Sequence, residues 1–372
     1  MAAASPTLSS RALNRATLAR QMLLARAKVS AVTAVSRLAG LQAQLARPPF
    51  VGLWSRADGF SRDALVSAAE RREVVRGTLM RGTIHLVTSD DYLAFRPAVQ
   101  VALTAGMHAI LKDRVLGIDV DALVAAARDV FGAAPCTFAV LRDRLAKQFP
   151  GVDERAMGYI ARMQLPLVQV PEDGAPWGWP GSAKFTLADG WLGKRVATSG
   201  SAGTLVRQYL AAFGPASAKD LQTWSYVHGI EAALEALRPS LRTFRDERGR
   251  ELFDLPKAPR PDEDQPAPVR FLPEYDNLLL AHADRTRMVA DAHRKAMTTR
   301  NLLLPATVLV DGVVAATWTV TATKKAATLT VLPFGTLAKA DRGEIAEEGD
   351  RLLEFLEPQV AKRAVEIAPA RS

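Results

Sequence analysis

Apolar positions along the first part of the chain recur at helical intervals. Leu13, Leu18, Met22 and Leu23 recur at roughly the spacing of a helix face over 11–24. The preceding residues, 1–10, show no such face and read as a flexible tail. A second helix reads over 31–41 and stops before Pro48-Pro49, because proline drives the residue ahead of it out of the helical region. A third reads over 63–71, behind the turn Asp58-Gly59-Phe60-Ser61, with Ser61 as its N-cap. The period then changes. Val74-Val75-Arg76-Gly77-Thr78-Leu79-Met80 is strand-like, Arg81-Gly82-Thr83 can turn, and Ile84-His85-Leu86-Val87-Thr88 returns. Helices followed by a two-stranded hairpin form the winged-helix variant of the helix-turn-helix. A further helix begins at 90–95.

This rhythm returns twice. Helices over 119–131, 138–148 and 153–164 precede strands at 167–170 and 184–187, which flank a loop rich in Gly, Pro and Trp. Helices over 201–213, 217–224 and 228–237 precede strands at 241–244 and 251–255, which flank Asp246-Glu247-Arg248-Gly249-Arg250. The units so defined are 11–116, 117–198 and 199–256. Prolines then crowd residues 257–268, the composition of a linker. Residues 269–372 form a β-rich segment: strands at 307–310, 313–321 and 328–332, a helix at 344–357, and a last strand or tail at 361–367. Asp311-Gly312 between apolar runs predicts a tight hairpin. The fold class expected is therefore α+β, with three tandem winged-helix units and a C-terminal β-rich segment.

Composition narrows the function. With 48% hydrophobic residues among 372, the chain can bury a sizeable core. Its net charge of +9, from 48 Lys and Arg against 39 Asp and Glu, suits a polyanionic partner, and nucleic acid is the commonest. One cysteine, Cys136, excludes an internal disulfide and a multi-cysteine zinc site; its apolar neighbours make it a small core residue. The five histidines lack ligand spacing, and there is neither a GxGxxG motif nor a P-loop, so neither metal nor cofactor is expected. Glu274, Asp276 and Asp284 read as caps or as ion-pair partners of Arg285 and Arg287. No secretory signal and no run of roughly 20 apolar residues is visible, which points to a cytoplasmic, nucleoid-associated protein.

Certain stretches resemble the AlkZ/YcaQ family of winged-helix DNA glycosylases. They are Leu41-Gln42-Ala43-Gln44-Leu45, Gly52-Leu53-Trp54-Ser55-Arg56, the run from Val75 to Leu86, Asp91-Tyr92, Phe271-Leu272-Pro273-Glu274-Tyr275-Asp276-Asn277-Leu278-Leu279-Leu280, and Val310-Asp311-Gly312-Val313-Val314 leading to Trp318. The resemblance as a whole spans roughly residues 11–365. The resemblance implies a C-shaped clamp of three winged-helix units. It also implies a monofunctional glycosylase that hydrolyses the N-glycosidic bond of N7-alkylated purines in double-stranded DNA. Gln42-Ala43-Gln44 matches the Gln-aliphatic-Gln branch, which is associated with bulky adducts, interstrand crosslinks and self-resistance to DNA-alkylating natural products.

On that reading Gln42 and Gln44 are the catalytic residues. An N7-alkylated purine carries a positive charge and leaves as a neutral molecule, so no strong general acid is needed. An amide offers one acceptor oxygen and two donors, and can orient a water below C1′. Residues at i and i+2 do not share a helix face, so the two converge only if the chain leaves helix there. DNA contacts are expected from Arg56, Arg76, Arg81, His85, and from Lys324-Lys325 at a hairpin tip, where a basic turn can enter a groove. Trp54 and Trp318 read as core, and the loop Trp177-Gly178-Trp179-Pro180 as a further place for DNA contact. A clamp closing on itself favours a monomer. The competing reading is a tandem winged-helix regulator with no chemistry.

Overall fold

The computed structural model describes residues 5–297 and 304–370. Among them the chain is mixed α/β, with strands gathered into three sheets. The first sheet runs in the order Leu41–Gln42, Ile84–Thr88, Val74–Thr78, Leu167–Gln169 and Phe185–Leu187, every neighbour antiparallel. Two hairpins that the pattern sets in separate units thus share one ladder: Arg76 faces Gln169, and Gly77 faces Val168. Gly77 makes that seam possible. A Cβ there would sit 2.6 Å from Cε2 of Tyr92 and 2.8 Å from the Leu167 carbonyl oxygen. The Tyr92 hydroxyl donates to that same oxygen at 3.1 Å.

Helices Ala31–Arg37, Arg62–Glu70, Ser89–Leu111, Val120–Ala133, Phe138–Gln148 and Glu154–Gln164 pack around this sheet, and Ala202–Phe213, Ala218–Ser225 and Ile230–Leu237 continue the same apolar core. That core runs without interruption from Met22 through Leu86, Phe95, Leu141 and Ile160 to Tyr209 and Trp224. Side-chain caps start the helices where the sequence predicts: the Ser61 hydroxyl accepts from the Ala64 amide at 3.3 Å. Ser217 and Asp220 form a reciprocal capping box. Cys136 is buried, as its neighbours predict.

Two smaller sheets complete the fold. Arg242–Asp246 pairs antiparallel with Glu251–Asp254 and, on its other edge, parallel with Thr7–Leu8. The tail expectation therefore needs correction at residues 7–10: they form a strand and, through the Ser9 hydroxyl accepting from the Ala12 amide, the cap of helix Ser10–Arg20. The C-terminal sheet has the order Lys362–Ile367, Ala326–Pro333, Val313–Ala322, Thr307–Val310 and Arg270–Leu272, and helix Lys339–Leu356 buries Ile345, Leu352 and Leu353 against Phe271, Trp318 and Val331. Asp311 and Gly312 both take positive φ, 44° and 77°, as an Asp-Gly hairpin turn requires.

The proline-rich stretch 257–268 is laid along helix Ser10–Arg20 instead of hanging between domains. Arg11 donates to the Glu263 carbonyl at 2.8 Å and Arg15 to the Gln265 carbonyl at 2.6 Å. Prolines remove backbone donors and leave carbonyls unpaired, and these guanidiniums satisfy them. Helix Ser10–Arg20 also reaches Asp254 through Arg20, in a bidentate pair at 2.7 and 2.8 Å. No helix is long and apolar enough to cross a membrane among the described residues.

Candidate active site

The Gln42-Ala43-Gln44 segment is not a helix end: Leu41–Gln42 is an edge strand, Ala43 adds one more backbone bond to it, and Gln44 lies in the bend that follows. Helix Ala31–Arg37 stops short of the expected residue 41 because Ala39 (φ 52°) and Gly40 (φ 86°) reverse the chain. Gly40 is required there, since a Cβ would meet Cγ1 of Val87 at 2.5 Å. The prolines that were expected to stop a helix start one, Pro48–Trp54, because an N1 proline sacrifices an amide that has no partner anyway. Between these elements the chain is extended. Leu41 pairs with Leu86 and Gln42 with His85, and the Ala43 amide donates to the Ile84 carbonyl at 2.7 Å. Both glutamines are drawn to the same hairpin, Gln42 to Arg81 in its turn and Gln44 to the Ile84 amide at the start of its return strand.

Each glutamine is anchored through its carbonyl oxygen. Gln42 is buried, and its Oε1 accepts from Arg81 Nη2 at 2.9 Å. Gln44 is exposed, and its Oε1 accepts from the Ile84 amide at 2.8 Å. An amide oxygen has two lone pairs, so each keeps one free acceptor site beside its two N–H donors.

Arg81 is the hub. It occupies the turn between strands Val74–Thr78 and Ile84–Thr88 in the left-handed region (φ 58°). Its Nη2 also donates to Asn277 Oδ1 at 2.9 Å and lies 3.3 Å from His85 Nε2, while Nη1 donates to the Trp224 carbonyl at 2.9 Å. Because Arg81 can only donate, His85 Nε2 must accept, and its Nδ1 carries the proton toward the Thr83 carbonyl at 3.1 Å. Burial, with the Arg81 charge beside it, pushes the His85 pKa down to about 3. His85 is therefore neutral and fully enclosed, which removes it from direct contact with DNA. Burial lowers Arg81 to about 10, so it stays cationic at neutral pH.

Arg56 and Arg76, expected on the DNA surface, are inside the protein. Arg56 is 1% exposed and makes a bidentate pair with Asp276 at 2.8 and 2.9 Å. Asp276 in turn accepts from the Leu278 amide at 2.9 Å, which sets the turn that presents Asn277. Asn277 donates to the Gly40 carbonyl at 3.1 Å and accepts from Arg81. Arg76, 3% exposed, donates to the Ala43 carbonyl at 2.6 Å beneath the ring of Trp179, 4.9 Å away. Burial lowers it to about 10. Both arginines thus hold the Gln42-Ala43-Gln44 segment and its neighbours, and the expectation that they contact phosphate is withdrawn.

Acid pairings differ from expectation as well: Asp276 pairs with Arg56, Asp284 with Arg248 and Arg250, and Glu274 with Arg47. Asn277 was missed as a member of the site. It lies within the 271–280 stretch that carries the resemblance, but nothing in its own type or spacing marks it. Trp318 is core, its Nε1 donating to the Leu272 carbonyl at 2.9 Å, whereas Trp54 is half-buried against Phe355. Trp179 turns inward and Trp177 packs under Arg62, so the tryptophan loop is part of the interior wall. Lys324 and Lys325 alone match the surface expectation, exposed at the turn between Val313–Ala322 and Ala326–Pro333.

Fold and site define a mixed α/β protein whose Gln-Ala-Gln segment is held by arginines, with no carboxylate bonded to either glutamine among the described residues. The sequence profile of the DNA glycosylase AlkZ-like family matches residues 35–355, and the chain belongs to that family, a family of enzymes. A curated relative, the interstrand DNA cross-link repair glycosylase of Streptomyces sahachiroi, is 25% identical over 326 residues, covering 80% of this chain and 84% of the relative. The solved structure of S. sahachiroi DNA glycosylase AlkZ superposes with a TM-score of 0.76 at 21% identity, covering 97% of this chain and all of that one. At that identity the superposition establishes the fold.

Proposed function

We propose that this DNA glycosylase hydrolyses the N-glycosidic bond of bulky N7-alkylguanine adducts in double-stranded DNA, interstrand crosslinks included, with Gln42 and Gln44 as the catalytic pair. The carrying observation is that both are anchored on one hairpin, Gln42 by Arg81 and Gln44 by the Ile84 amide, each oxygen fixed by a donor and each left with a free lone pair and two N–H groups. Alkylation at N7 makes the base a cation that departs neutral, so protonation of the leaving group contributes little. What the protein supplies is a held water. The free amide lone pairs accept its hydrogens and aim its oxygen at C1′ as the bond lengthens. Orientation of this kind contributes several kcal/mol without a strong base.

Arg81 keeps the Gln42 amide from flipping, because a guanidinium can face only the carbonyl end. Lys324 and Lys325 supply phosphate contacts. The cross-link repair named for the S. sahachiroi relative supports a substrate larger than a methylated base. Self-resistance in a producer of an alkylating natural product is the corresponding biological role, and a monomer acting in the cytoplasm is the working form.

The test is release of modified base from duplexes carrying one defined N7-guanine adduct. The parent should release it. Gln42→Ala should slow release about 100-fold, the loss typical of a mispositioned reactant, with duplex binding retained. Gln44→Ala should also slow it. Undiminished release by both variants, or no release by the parent from any N7 adduct, sinks the proposal.

A further inference from the structure

Beside the Gln-Ala-Gln segment lies a cleft of about 730 Å³, walled by one face of helix Ser89–Leu111, by helix Glu154–Gln164 and by helix Ala218–Ser225. Arg81 and Gly82 form part of its lining, so the guanidinium bonded to Gln42 stands between the cleft and that glutamine. Its Ser89–Leu111 and Glu154–Gln164 walls are largely apolar, with Ala102, Ala105, Ile110 and Met163, whereas helix Ala218–Ser225 presents Lys219, Gln222, Thr223 and Ser225. Helix Ser89–Leu111 leaves a large apolar side chain in the open on this face, with Ile110 57% exposed. A groove built for phosphates would instead carry a row of Lys and Arg.

Tyr226 stands at the rim, 55% exposed, with its backbone in the left-handed region (φ 60°) where helix Ala218–Ser225 ends. Glycine is the residue that position favours; a non-glycine there costs roughly 1 kcal/mol, a strain that recurs at ligand clamps. An aromatic ring is thus kept, at a cost to the fold, on the edge of an apolar cleft next to the reactive strand.

We propose that this cleft receives the apolar substituent carried on N7 of the damaged guanine, with Tyr226 stacking against it. The inference rests on the glycosylase reading above and names where the bulk of the adduct goes. Its volume falls in the range of ligand pockets, roughly 300–1,000 Å³, and far exceeds what a methyl group fills. Gln42 and Gln44 then work on the sugar while the cleft holds the attached group. Because the cleft wall next to Arg81 is the rigid Leu79–Gly82 turn, a bound substituent registers the lesion against Gln42.

The experiment compares duplexes bearing a single N7-methylguanine or a single N7-(naphthylmethyl)guanine. Single-turnover base release, binding by anisotropy, and melting temperature are followed for the parent, Ala105→Trp and Tyr226→Gly. Ala105→Trp fills the cleft from an exposed helix position. It should slow release of the naphthyl adduct about tenfold, with the methyl adduct within about twofold, a discrimination typical of small changes in an apolar pocket. Tyr226→Gly should lose naphthyl selectivity similarly while its melting temperature stays level or rises, because glycine relieves the left-handed backbone.

The proposal is overturned if both adducts slow equally or neither does. It is also overturned if binding of undamaged duplex weakens in step, which would make the cleft a DNA-backbone surface, or if Ala105→Trp dissociates a dimer of this chain. Should the parent release neither base, the glycosylase reading fails separately. The cleft is then judged on binding alone, where the parent, but not Ala105→Trp, should hold the naphthyl duplex about tenfold tighter than the methyl one, a difference of about 1.4 kcal/mol.

Discussion

Two sets of cations divide the molecule. Around the Gln-Ala-Gln segment, Arg56, Arg76 and Arg81 are turned inward and bond to Asp276, the Ala43 carbonyl and the Gln42 amide. At the far hairpin, Lys324 and Lys325 face solvent. All five count equally toward the net charge, yet only the second pair is free to meet a polyanion. An enclosed guanidinium is a multidentate donor that fixes carbonyl groups in place, whereas an exposed ammonium is a diffuse attraction that salt weakens. Net charge therefore indicates that a polyanion is a plausible partner and is silent on where it binds.

The comparison can be broken most forcefully at the inner set. Asp276→Ala leaves Arg56 buried without a counter-charge and releases the turn that carries Asn277. It should cost about 4 kcal/mol of stability, measured by denaturant unfolding, and base release should fall with it. If the variant is as stable as the parent, the arginine framework is not what holds the site. Arg76→Lys should cost less, about 1–2 kcal/mol, because one hydrogen bond to Ala43 is lost or lengthened while the charge remains. The expected signature is slower release with unchanged salt dependence of DNA binding.

The outer set should behave oppositely. Lys324→Ala with Lys325→Ala should leave the melting temperature unchanged, and should reduce the slope of log affinity against log salt by about two if each lysine meets one phosphate. A shift in melting temperature with an unchanged slope would reverse the assignment.

The smallest effect concerns acid. His85 and His282 are held neutral by burial, with pKa values pushed to about 3. The unfolded chain binds protons at these positions below about 6.5 while the folded chain does not, so stability is lost as pH falls from 6.5 toward 3. Over pH 6 to 8 base release should show no histidine titration. A rate that halves near pH 6.5 would mean that His85 is not the neutral acceptor described.

Much of the scaffold was legible because pattern and cap agree. The strand Ile84–Thr88, the helix Phe138–Gln148 and the strand Thr307–Val310 match their sequence expectations residue for residue. Each has an unmixed period and a strong turn or cap beside it. The glutamine pair was legible through its family motif, but its geometry was not. Where Gln42 and Gln44 lie depends on Ala39 and Gly40 reversing the chain, and that reversal is set by contact with Val87, far along the sequence. The roles of Arg56 and Arg76 were misread for the same reason. Arg56 finds its acid 220 positions away, and a residue letter carries no information about such a partner. Strand Arg270–Leu272 escaped notice because it is short and buried throughout, with no alternation to reveal it.

The seam at Gly77 has one more consequence. Since Val74–Thr78 and Leu167–Gln169 belong to one ladder, the first two helical groups cannot swing apart without breaking backbone hydrogen bonds in the middle of a sheet. Any breathing that admits a duplex must arise elsewhere, and the ladder from Gln42 through His85 and Gly77 to Val168 holds its spacing. On the proposed function, a lesion must be brought to such an anvil and shaped there, because the edge that carries Gln42 does not travel to meet it.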